Sequence, residues 1–354
     1  FGDRTVSVNT VGGAANTTRF LMAGGSAPTT VIDFVEISTA GNAVDFGDLT
    51  VARLSPQAFA SPTRCVFAGG QPAATVDYVE FGSLGNATDF GDLIVDVAYQ
   101  GATGNSIRGI VMGGSATSND STKYNAIQMF SIATRANATD FGDLTVARNN
   151  GYSCSNGHGG LQEFQPRAPE LYSPTGTVVP RGGGVGDLGF HYGGSGPSDV
   201  NTIGVVQIST LGNSTDFGNL TAVAKQCGGG SSATRGVRAG SDGPIVNTID
   251  YWEMASKGNA ADFGDLTVAR RSMLGLAGND TRGIFQGGNT PSASNVIDYI
   301  TFTTIGNATD FGDCVETQNL GGAVSSNTRG LNAGGTTPSG HSNTIGYVTI
   351  ASTG

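Results

Sequence analysis

The sequence predicts an all-β fold, a seven-bladed β-propeller built from four-stranded antiparallel blades. Three observations lead to this prediction. The 354 residues include 57 glycines and only 13% charged residues, and Thr, Ser, Asn, Val and Ile, which favour strands and tight turns, take the place of the charges. One motif recurs along the whole chain, and each repeat holds four short strand patterns. A four-stranded sheet of this size cannot cover both of its faces, whereas sheets stacked around an axis cover one another.

The motif Phe-Gly-Asp sets the length of the repeat. It begins at Phe1, Phe46, Phe90, Phe141, Phe263 and Phe311, and a Phe-Gly-Asn variant begins at Phe217. Five of the six intervals are 44 to 51 residues long, and the interval from Phe141 to Phe217 is 76 residues. Seven copies predict seven blades.

The unit that starts at Phe263 shows the expected order of strands. Short strands are predicted at Leu266–Val268, Ser272–Ala277 and Arg282–Gln286, and the last two are separated by a turn at Gly278–Asp280. A fourth strand with alternating polarity is predicted at Val296–Thr303. Turn residues then lead back to the next motif, so the unit is one blade.

The two ends of the chain predict that the N-terminal strand closes the ring. Residues 350–354 (IASTG) match residues 37–41 (ISTAG), which precede the motif at Phe46. The motif at Phe1 is the segment that would follow. We therefore expect the N-terminal strand to complete the last blade and to remove the open edge of an unclosed array. The prediction is a single domain over residues 1–354.

One repeat contains a long insertion. The surplus lies at residues 159–184 of the fourth repeat and contains four of the twelve prolines. Long loop insertions often carry function, and this one has bulky side chains that a solvated loop does not need. We predict an arm that docks a partner through Phe164, Arg167, Leu171, Tyr172 and Arg181.

Two kinds of side chain recur at fixed places. The motif phenylalanine is expected to pack between neighbouring blades, where a buried phenyl ring stabilises by about 2 kcal/mol. A recurring arginine is expected to form forked ion pairs with the aspartates that flank the motif, and these pairs would cross-link strands or blades. The phenylalanines are Phe46, Phe90, Phe141, Phe217, Phe263 and Phe311, the arginines are Arg19, Arg64, Arg108, Arg235, Arg282 and Arg329, and the aspartates are Asp45, Asp89, Asp140, Asp216, Asp262 and Asp310.

These patterns resemble the kelch repeat. Kelch units contain an apolar strand that ends in Gly-Gly and then a strand with a central aromatic residue, as in Gly287-Gly288 followed by Asp298-Tyr299. The motif phenylalanine stands where kelch proteins usually have tryptophan, which is a departure from the family. The double glycines begin at Gly24, Gly69, Gly113, Gly193, Gly287 and Gly334. The resemblance implies the propeller fold and does not specify an activity.

Candidate metal and catalytic groups are few. Some kelch-like propellers are copper oxidases, whose metal needs histidine and tyrosine ligands, but the chain has only three histidines. His158 and His191 flank the insertion in one blade, and His341 lies in a loop of a later blade. Calcium binding by the paired aspartates is the weaker alternative to a structural role, because the dense acidic loop of calcium-binding propellers is absent. Seven near-copies of each acid indicate a scaffold, so we expect no catalytic residue and no cofactor. The four cysteines are expected to be buried single thiols, with a Cys154–Cys227 disulfide as the alternative.

The asparagines of several Asn-x-Thr/Ser triplets fall at one turn of each repeat. Turn formation is the favoured explanation, with glycosylation as the alternative in a secretory host. They are Asn86, Asn137, Asn213 and Asn307.

Charge and composition limit the partners. A net charge of −10 argues against nucleic-acid binding, and no apolar run reaches the length of a membrane span. The FGDLTVAR repeats at Phe46, Phe141 and Phe263 are similar to propeller arrays in tail or surface proteins of marine bacteriophages. This resemblance implies a virion or extracellular protein that binds other virion or surface proteins, or a host-surface glycan. The alternatives are a bacterial adhesion module that binds carbohydrate and a kelch-type protein-interaction domain.

Overall fold

The computed structural model confirms the predicted fold class. Seven four-stranded antiparallel sheets form a ring, and no helix occurs in the residues that the structure describes. These residues are 1–26, 28–71, 74–116, 122–157 and 186–353. In six blades the strands lie side by side in chain order, and in the seventh blade the fourth strand comes from the N-terminus.

The strands of the seven blades are as follows. Blade 1 comprises Gly12–Ala15, Arg19–Ala23, Thr29–Glu36 and Val44–Arg53, and blade 2 comprises Gln57–Ala60, Arg64–Ala68, Thr75–Glu80 and Thr88–Asp92. Blade 3 comprises Gly101–Gly104, Arg108–Met112, Ala126–Ser131 and Thr139–Asp143, and blade 4 comprises Tyr152–Ser155, Leu188–Tyr192, Thr202–Gln207 and Thr215–Asn219. Blade 5 comprises Gly228–Ser231, Arg235–Ser241, Val246–Glu253 and Ala261–Asp265, and blade 6 comprises Leu276–Gly278, Arg282–Gln286, Val296–Thr301 and Thr309–Asp313. Blade 7 comprises Gly322–Ser325, Arg329–Ala333, Thr344–Thr349 and, from the N-terminus, Gly2–Asp3. Two small hairpins join Asn289–Thr290 to Ser292–Ala293 and Thr336–Thr337 to Gly340–His341.

The ring is closed in the predicted way. The first strand of every blade contacts the first strands of both neighbours, so these strands surround the axis. Blade 7 takes its fourth strand from the start of the chain, where Gly2 pairs with Ile345 and Asp3 with Thr344. Both ends of the chain therefore belong to one sheet, which confirms closure by the N-terminal strand.

The hydrophobic core is divided among the blade interfaces. Seven clusters of buried apolar side chains occur in the described residues, and each one joins two neighbouring blades. The cluster between blades 5 and 6, for example, contains Val237 and Phe263 from one blade and Phe285 and Phe302 from the next. Each sheet thus buries its apolar faces against its two neighbours.

The Phe-Gly-Asp motif forms a β-bulge in the fourth strand. In blade 5, Ile249 pairs with Gly264 and Asp250 pairs with Asp262, so Phe263 is the extra residue of the bulge. Its ring turns into the interface between the blades and is only 1% exposed. The Asp262 carboxylate accepts a hydrogen bond of 3.0 Å from the Gly264 N–H. The same register shift occurs in the other blades that have a full fourth strand.

The bulge explains where the predicted strands are wrong. The motif lies inside the fourth strand, Ala261–Asp265, although the sequence predicted strands on either side of it. The predicted strand Leu266–Val268 belongs to the connection between blades 5 and 6, and the first strand of blade 6 is Leu276–Gly278. A bulge interrupts the alternation of side chains, and a glycine weakens the strand signal, so the pattern hid this strand. Arg282–Gln286 was predicted with the correct bounds.

The connections divide the ring into two faces. One face, here called the turn face, carries the turns between first and second strands and between third and fourth strands. The opposite face, the loop face, carries the loops between second and third strands and the connections between blades. The long insertion belongs to the connection between the first and second strands of blade 4, which leaves Ser155 and returns at Leu188 on the turn face.

Candidate functional site

The recurring arginines begin the second strands on the turn face and link neighbouring blades. Arg64 donates from Nη1 to the Ile132 carbonyl of blade 3 over 2.8 Å, and from Nε to Glu80 of its own blade over 2.9 Å. Its guanidinium lies 4.4 Å from the ring centre of Tyr78, which adds a cation–π contact. Arg19, Arg108, Arg235, Arg282 and Arg329 donate in the same way to the carbonyls of Phe81, Ile208, Phe302, Ile350 and Ile37.

The predicted partners of these arginines are wrong. The arginines bind carbonyls of the next blade, and three of them also pair with glutamates on the neighbouring strand: Glu36, Glu80 and Glu253. The motif aspartates lie on the outermost strand, where Asp45 accepts the Gly47 N–H over 3.0 Å. Blade 4 has Leu188 where the other blades have arginine, so the arginine link is missing between blades 4 and 5.

Asparagine and glycine make a second link between blades at the outer edge. The N–H of Asp265 donates to Oδ1 of Asn307 in the next blade over 3.1 Å. Backbone bonds of 2.8 Å from Gly306 to Phe263 and from Ala308 to Asp265 flank it. Equivalent side-chain bonds go to Asn42, Asn86, Asn137, Asn213 and Asn259. These asparagines therefore join blades in addition to forming turns.

The structure also contains buried ion pairs that the sequence analysis missed. Arg53 at the end of FGDLTVAR binds Asp77 of blade 2, and both side chains are fully buried. Thr50 donates to the same carboxylate over 2.6 Å. Burial lowers the pKa of Arg53, and Asp77 opposes this shift. The other such pairs are Arg4–Asp33, Arg238–Asp250 and Arg270–Asp298. The available signal was the aspartate that recurs in the third strand, with the arginine that ends the motif segment in the pairs of Arg53 and Arg270. Arg4 and Arg238 lie elsewhere in their repeats.

A cleft opens on the turn face between blades 1 and 2. Its volume is about 550 Å³, and its walls include Asn16, Arg19, Glu36, Thr63 and Glu80. Two carboxylates, a guanidinium and two neutral polar groups can all bond to hydroxyl-rich ligands. The cleft therefore offers a polar docking surface on the same face as the insertion.

The predicted docking arm, residues 159–184, lies wholly outside the described residues. Phe164, Arg167, Leu171, Tyr172 and Arg181 belong to the part of the chain that the structure does not describe, as does His158.

The two ends of the connection that carries the arm are anchored on the turn face. Asn105 of blade 3 donates to the Gly186 carbonyl over 2.9 Å, and the Ser209 N–H donates to Asp187 over 2.7 Å. Burial raises the pKa of Asp187, but hydrogen bonds from Ser209 and Gln207 outweigh it and hold the pKa below its ordinary value.

Two aliphatic side chains stand exposed near these anchors. Ile107 is 54% exposed and lies two residues from Asn105, and Leu211 is 58% exposed and lies two residues from Ser209. The other blades that have a three-residue turn between their first and second strands carry threonine at the position of Ile107. Leu211 has exposed counterparts in Leu84 and Ile305, so Ile107 is the apolar group that is particular to the place where the connection leaves the ring.

The two described histidines lie in different blades, and Cys154 and Cys227 share one interface cluster. His191 is buried, and its Nδ1 lies 2.9 Å from the Ser153 hydroxyl, while His341 is exposed near Ser26. Burial, with a contribution from Arg148, lowers the pKa of His191 well below its ordinary value. All four cysteines are buried and free, which confirms the expectation of single thiols.

Among the described residues, no group of three or more potential metal ligands comes together. None of these residues forms a helix with the length and hydropathy that a membrane crossing requires. No protein-family model matches the chain, and no curated protein matches it. Function is therefore inferred from the chain's own residues.

Proposed function

We propose that this chain is a rigid, non-enzymatic scaffold that binds other proteins. The proposal rests on one observation, the contacts that the recurring polar residues make. The arginines and asparagines bond to the next blade, and the buried aspartates bind arginines at the same interfaces. The arginine and the asparagine links each recur in six blades and hold the ring together, so the repeats supply a frame on which partner contacts can be built.

Blade 4 is the place where we expect the partner to bind. It lacks the arginine link and carries the long connection, and exposed Leu211 and the neighbouring Ile107 lie near the ends of that connection. A function that occurs once per ring is expected in the one blade that departs from the symmetry of the others. The bulky residues of the insertion support protein contact at this blade.

The finer proposal is a structural or host-recognition role in a virion. It is supported by the similarity of the FGDLTVAR repeats to propeller arrays of marine bacteriophage proteins, within a kelch-like repeat pattern. The partners would then be other virion or surface proteins, and the chain would be located in the virion or outside the cell. Eleven of the twelve motif carboxylates on the outer strands are exposed, and they keep such a ring soluble.

A second candidate function is carbohydrate binding, as in an adhesion module. The cleft between blades 1 and 2 favours it, because Arg19, Glu36 and Glu80 place charged hydrogen-bonding groups in one concave surface. Sugar hydroxyls are bound by such groups.

Mass spectrometry of purified phage particles tests the virion role, which predicts peptides of this chain in stoichiometric amount. Deletion of residues 159–184 tests the docking blade. The deletion variant should keep the thermal melt of the parent and should no longer incorporate into particles. A variant with Leu84→Ala, on a different blade of the turn face, is the matched control and should incorporate normally.

The outcomes separate the two candidate functions. Normal incorporation of the deletion variant would contradict docking through blade 4. Glycan-array binding that is lost in Arg19→Ala and kept in the deletion variant would support the carbohydrate role in its place.

A further inference from the structure

One position in the third strand faces the incoming connection from the preceding blade and holds a buried polar group in most blades. The residues at this position, from blade 1 to blade 7, are Asp33, Asp77, Gln128, Gly204, Asp250, Asp298 and Gly346. Four blades thus have an aspartate here, one has a glutamine and two have a glycine. The residues that face this position also differ between blades, and they change together with the residue at the position.

Each aspartate binds a threonine and an arginine, although Asp250 takes its arginine, Arg238, from the second strand of its own blade. Asp298 accepts hydrogen bonds from the Thr267 N–H over 3.3 Å, from the Thr267 hydroxyl over 2.6 Å and from Arg270 Nη2 over 2.6 Å. Asp77 receives the same three donors from Thr50 and Arg53. A threonine and an arginine therefore form a carboxylate-binding site, and the aspartate supplies the carboxylate.

Blades 3 and 7 have no carboxylate and no arginine. In blade 3 the Gln128 side chain accepts the N–H groups of Ile94 and Val95 over 2.6 and 3.0 Å. In blade 7 the Asn332 side chain fills the space over Gly346 and accepts its N–H over 3.0 Å. Charge is therefore balanced in these blades, because both partners are neutral.

Blade 4 keeps the arginine and lacks the carboxylate. Arg148 is fully buried and donates from Nη1 to the carbonyls of Gly193 and Thr202 over 3.0 and 3.1 Å. Arg270 is held by the two equivalent carbonyls in blade 6, so Arg148 adopts the same pose. Its Nη2 has no hydrogen-bond partner, and the residue opposite is Gly204. A buried guanidinium without a counter-charge is costly.

The Ser214 side chain stands beside the place of the missing aspartate side chain. A Cβ placed on Gly204 would meet the Ser214 hydroxyl at 2.5 Å, and the next atom of any other residue is the His191 carbonyl oxygen at 3.7 Å. Ser214 stands where the equivalent residues are alanine: Ala43, Ala87, Ala138, Ala260 and Ala308. Its hydroxyl adds a donor that the other blades do not have. Thr145 corresponds to Thr267, and it is exposed, so the site is adjacent to solvent.

We propose that blade 4 binds a small carboxylate anion between Arg148, Thr145 and Ser214, in the place that an aspartate side chain occupies in four other blades. Acetate has the shape of an aspartate side chain from Cβ outward. It would accept from Arg148 Nη2 and from the Thr145 N–H and hydroxyl, as Asp298 does from their counterparts. The charge of Arg148 is then balanced as in those four blades.

Thermal unfolding in sodium acetate, compared with sodium chloride at equal ionic strength, tests the proposal. Because the anion binds the folded state, the Tm of the parent should rise with acetate concentration beyond the chloride series. The variant Gly204→Asp/Ser214→Ala supplies its own carboxylate and should melt higher than the parent, with no response to acetate. Arg148→Met removes the charge and should also lose the response. Equal melting curves for the parent in both salts would overturn the proposal.

Nuclear magnetic resonance adds a readout that does not depend on stability. Titration of the parent with acetate should shift the Thr145 amide resonance and leave that of Thr267 in place, since the site at Thr267 is already filled by Asp298. Equal shifts at both threonines, or none at Thr145, would contradict a specific site in blade 4.

Discussion

At the residue scale, the motif glycine is needed both for its backbone angle and for its lack of a side chain. Gly264 has a φ of +139°, and an added Cβ would lie 2.5 Å from the backbone of Gly306 in the next blade. We expect Gly264→Ala to lower the free energy of unfolding by about 2 kcal/mol or more, because a strained angle and a backbone clash act together. Urea unfolding measures this loss.

Gly258 provides the control for this substitution. It lies in a turn of the same blade, and an added Cβ would meet no atom within 4 Å. Gly258→Ala should change the free energy of unfolding by less than about 0.5 kcal/mol. Similar losses for the two variants would show that the motif glycine is not a contact between blades.

The motif phenylalanine should carry a large share of the stability of each interface. Phe141 is buried in the cluster between blades 3 and 4. Phe141→Ala should cost about 3–5 kcal/mol by opening a cavity there, whereas Leu84→Ala, at an exposed turn, should cost little. A thermal melt of Phe141→Ala that matches the parent would refute the packing role.

At the element scale, the recurring arginines join neighbouring blades mainly through a hydrogen bond to a carbonyl, and their ion pair with a glutamate contributes less. Arg64→Met should lower the free energy of unfolding by about 1–3 kcal/mol, because the bond to the Ile132 carbonyl is lost. Glu80 is half exposed, so Glu80→Gln should cost less than about 0.5 kcal/mol. Chemical denaturation of both variants compares the two contacts. If Glu80→Gln costs as much as Arg64→Met, the ion pair is the stronger contact.

The strands were predictable to the extent that they follow simple alternation. The second strand, Arg282–Gln286, has an apolar run between an arginine and a double glycine, and its bounds were correct. The fourth strand was missed, because its bulge places Phe263 and Gly264 out of the alternating pattern. Local pattern thus finds a regular strand and fails at a bulge, where contact with the next blade sets the conformation.

The buried pairs were missed for a different reason. Arg53 and Asp77 are far enough apart in sequence that each looked like part of a separate motif, and only the ring brings them together. The ion pairs with aspartates of the Asp45 type were predicted because both residue types recur at fixed places in the repeats, and they are wrong because recurrence does not show which residues meet. A pairing across blades depends on the stacking geometry, which a single repeat does not contain.

At the scale of the whole molecule, the ring is held by equivalent links at most interfaces and closed by the chain's own ends. Closure adds contacts at the junction of blades 7 and 1, where the Ala43 N–H donates to the Asp3 carbonyl over 2.8 Å and Arg329 donates to the Ile37 carbonyl over 2.8 Å. An interface that joins the two ends of the chain is thus built like those between consecutive blades. Blade 4 is the exception, because it has leucine in place of the linking arginine and its buried arginine has no carboxylate opposite it. We therefore expect binding at blade 4.

The cysteines predict how the stability of the whole ring depends on pH. Burial raises the pKa of Cys154 and Cys227 to about 12 and that of Cys314 to about 11, and it raises the pKa of Cys65 as well. The unfolded thiols, with a pKa near 9, lose protons first, so the contribution of these groups is complete below about pH 9 and declines as the pH rises further. Between pH 8 and pH 9.5 each thiol should remove about 0.8 kcal/mol from the free energy of unfolding.

Urea unfolding at pH 8 and pH 9.5 measures this decline. The comparison stays below pH 10, where loss of the proton from Arg148, whose pKa burial lowers to about 10, would begin to act in the opposite direction. A Cys227→Ala variant has one thiol fewer and should show a smaller decline than the parent. The four cysteines lie in three interface clusters, and Cys154 and Cys227 share one of them. Equal stability at the two pH values would therefore mean that these interfaces admit water to their thiols. Such a result would contradict the close packing between blades on which the ring depends.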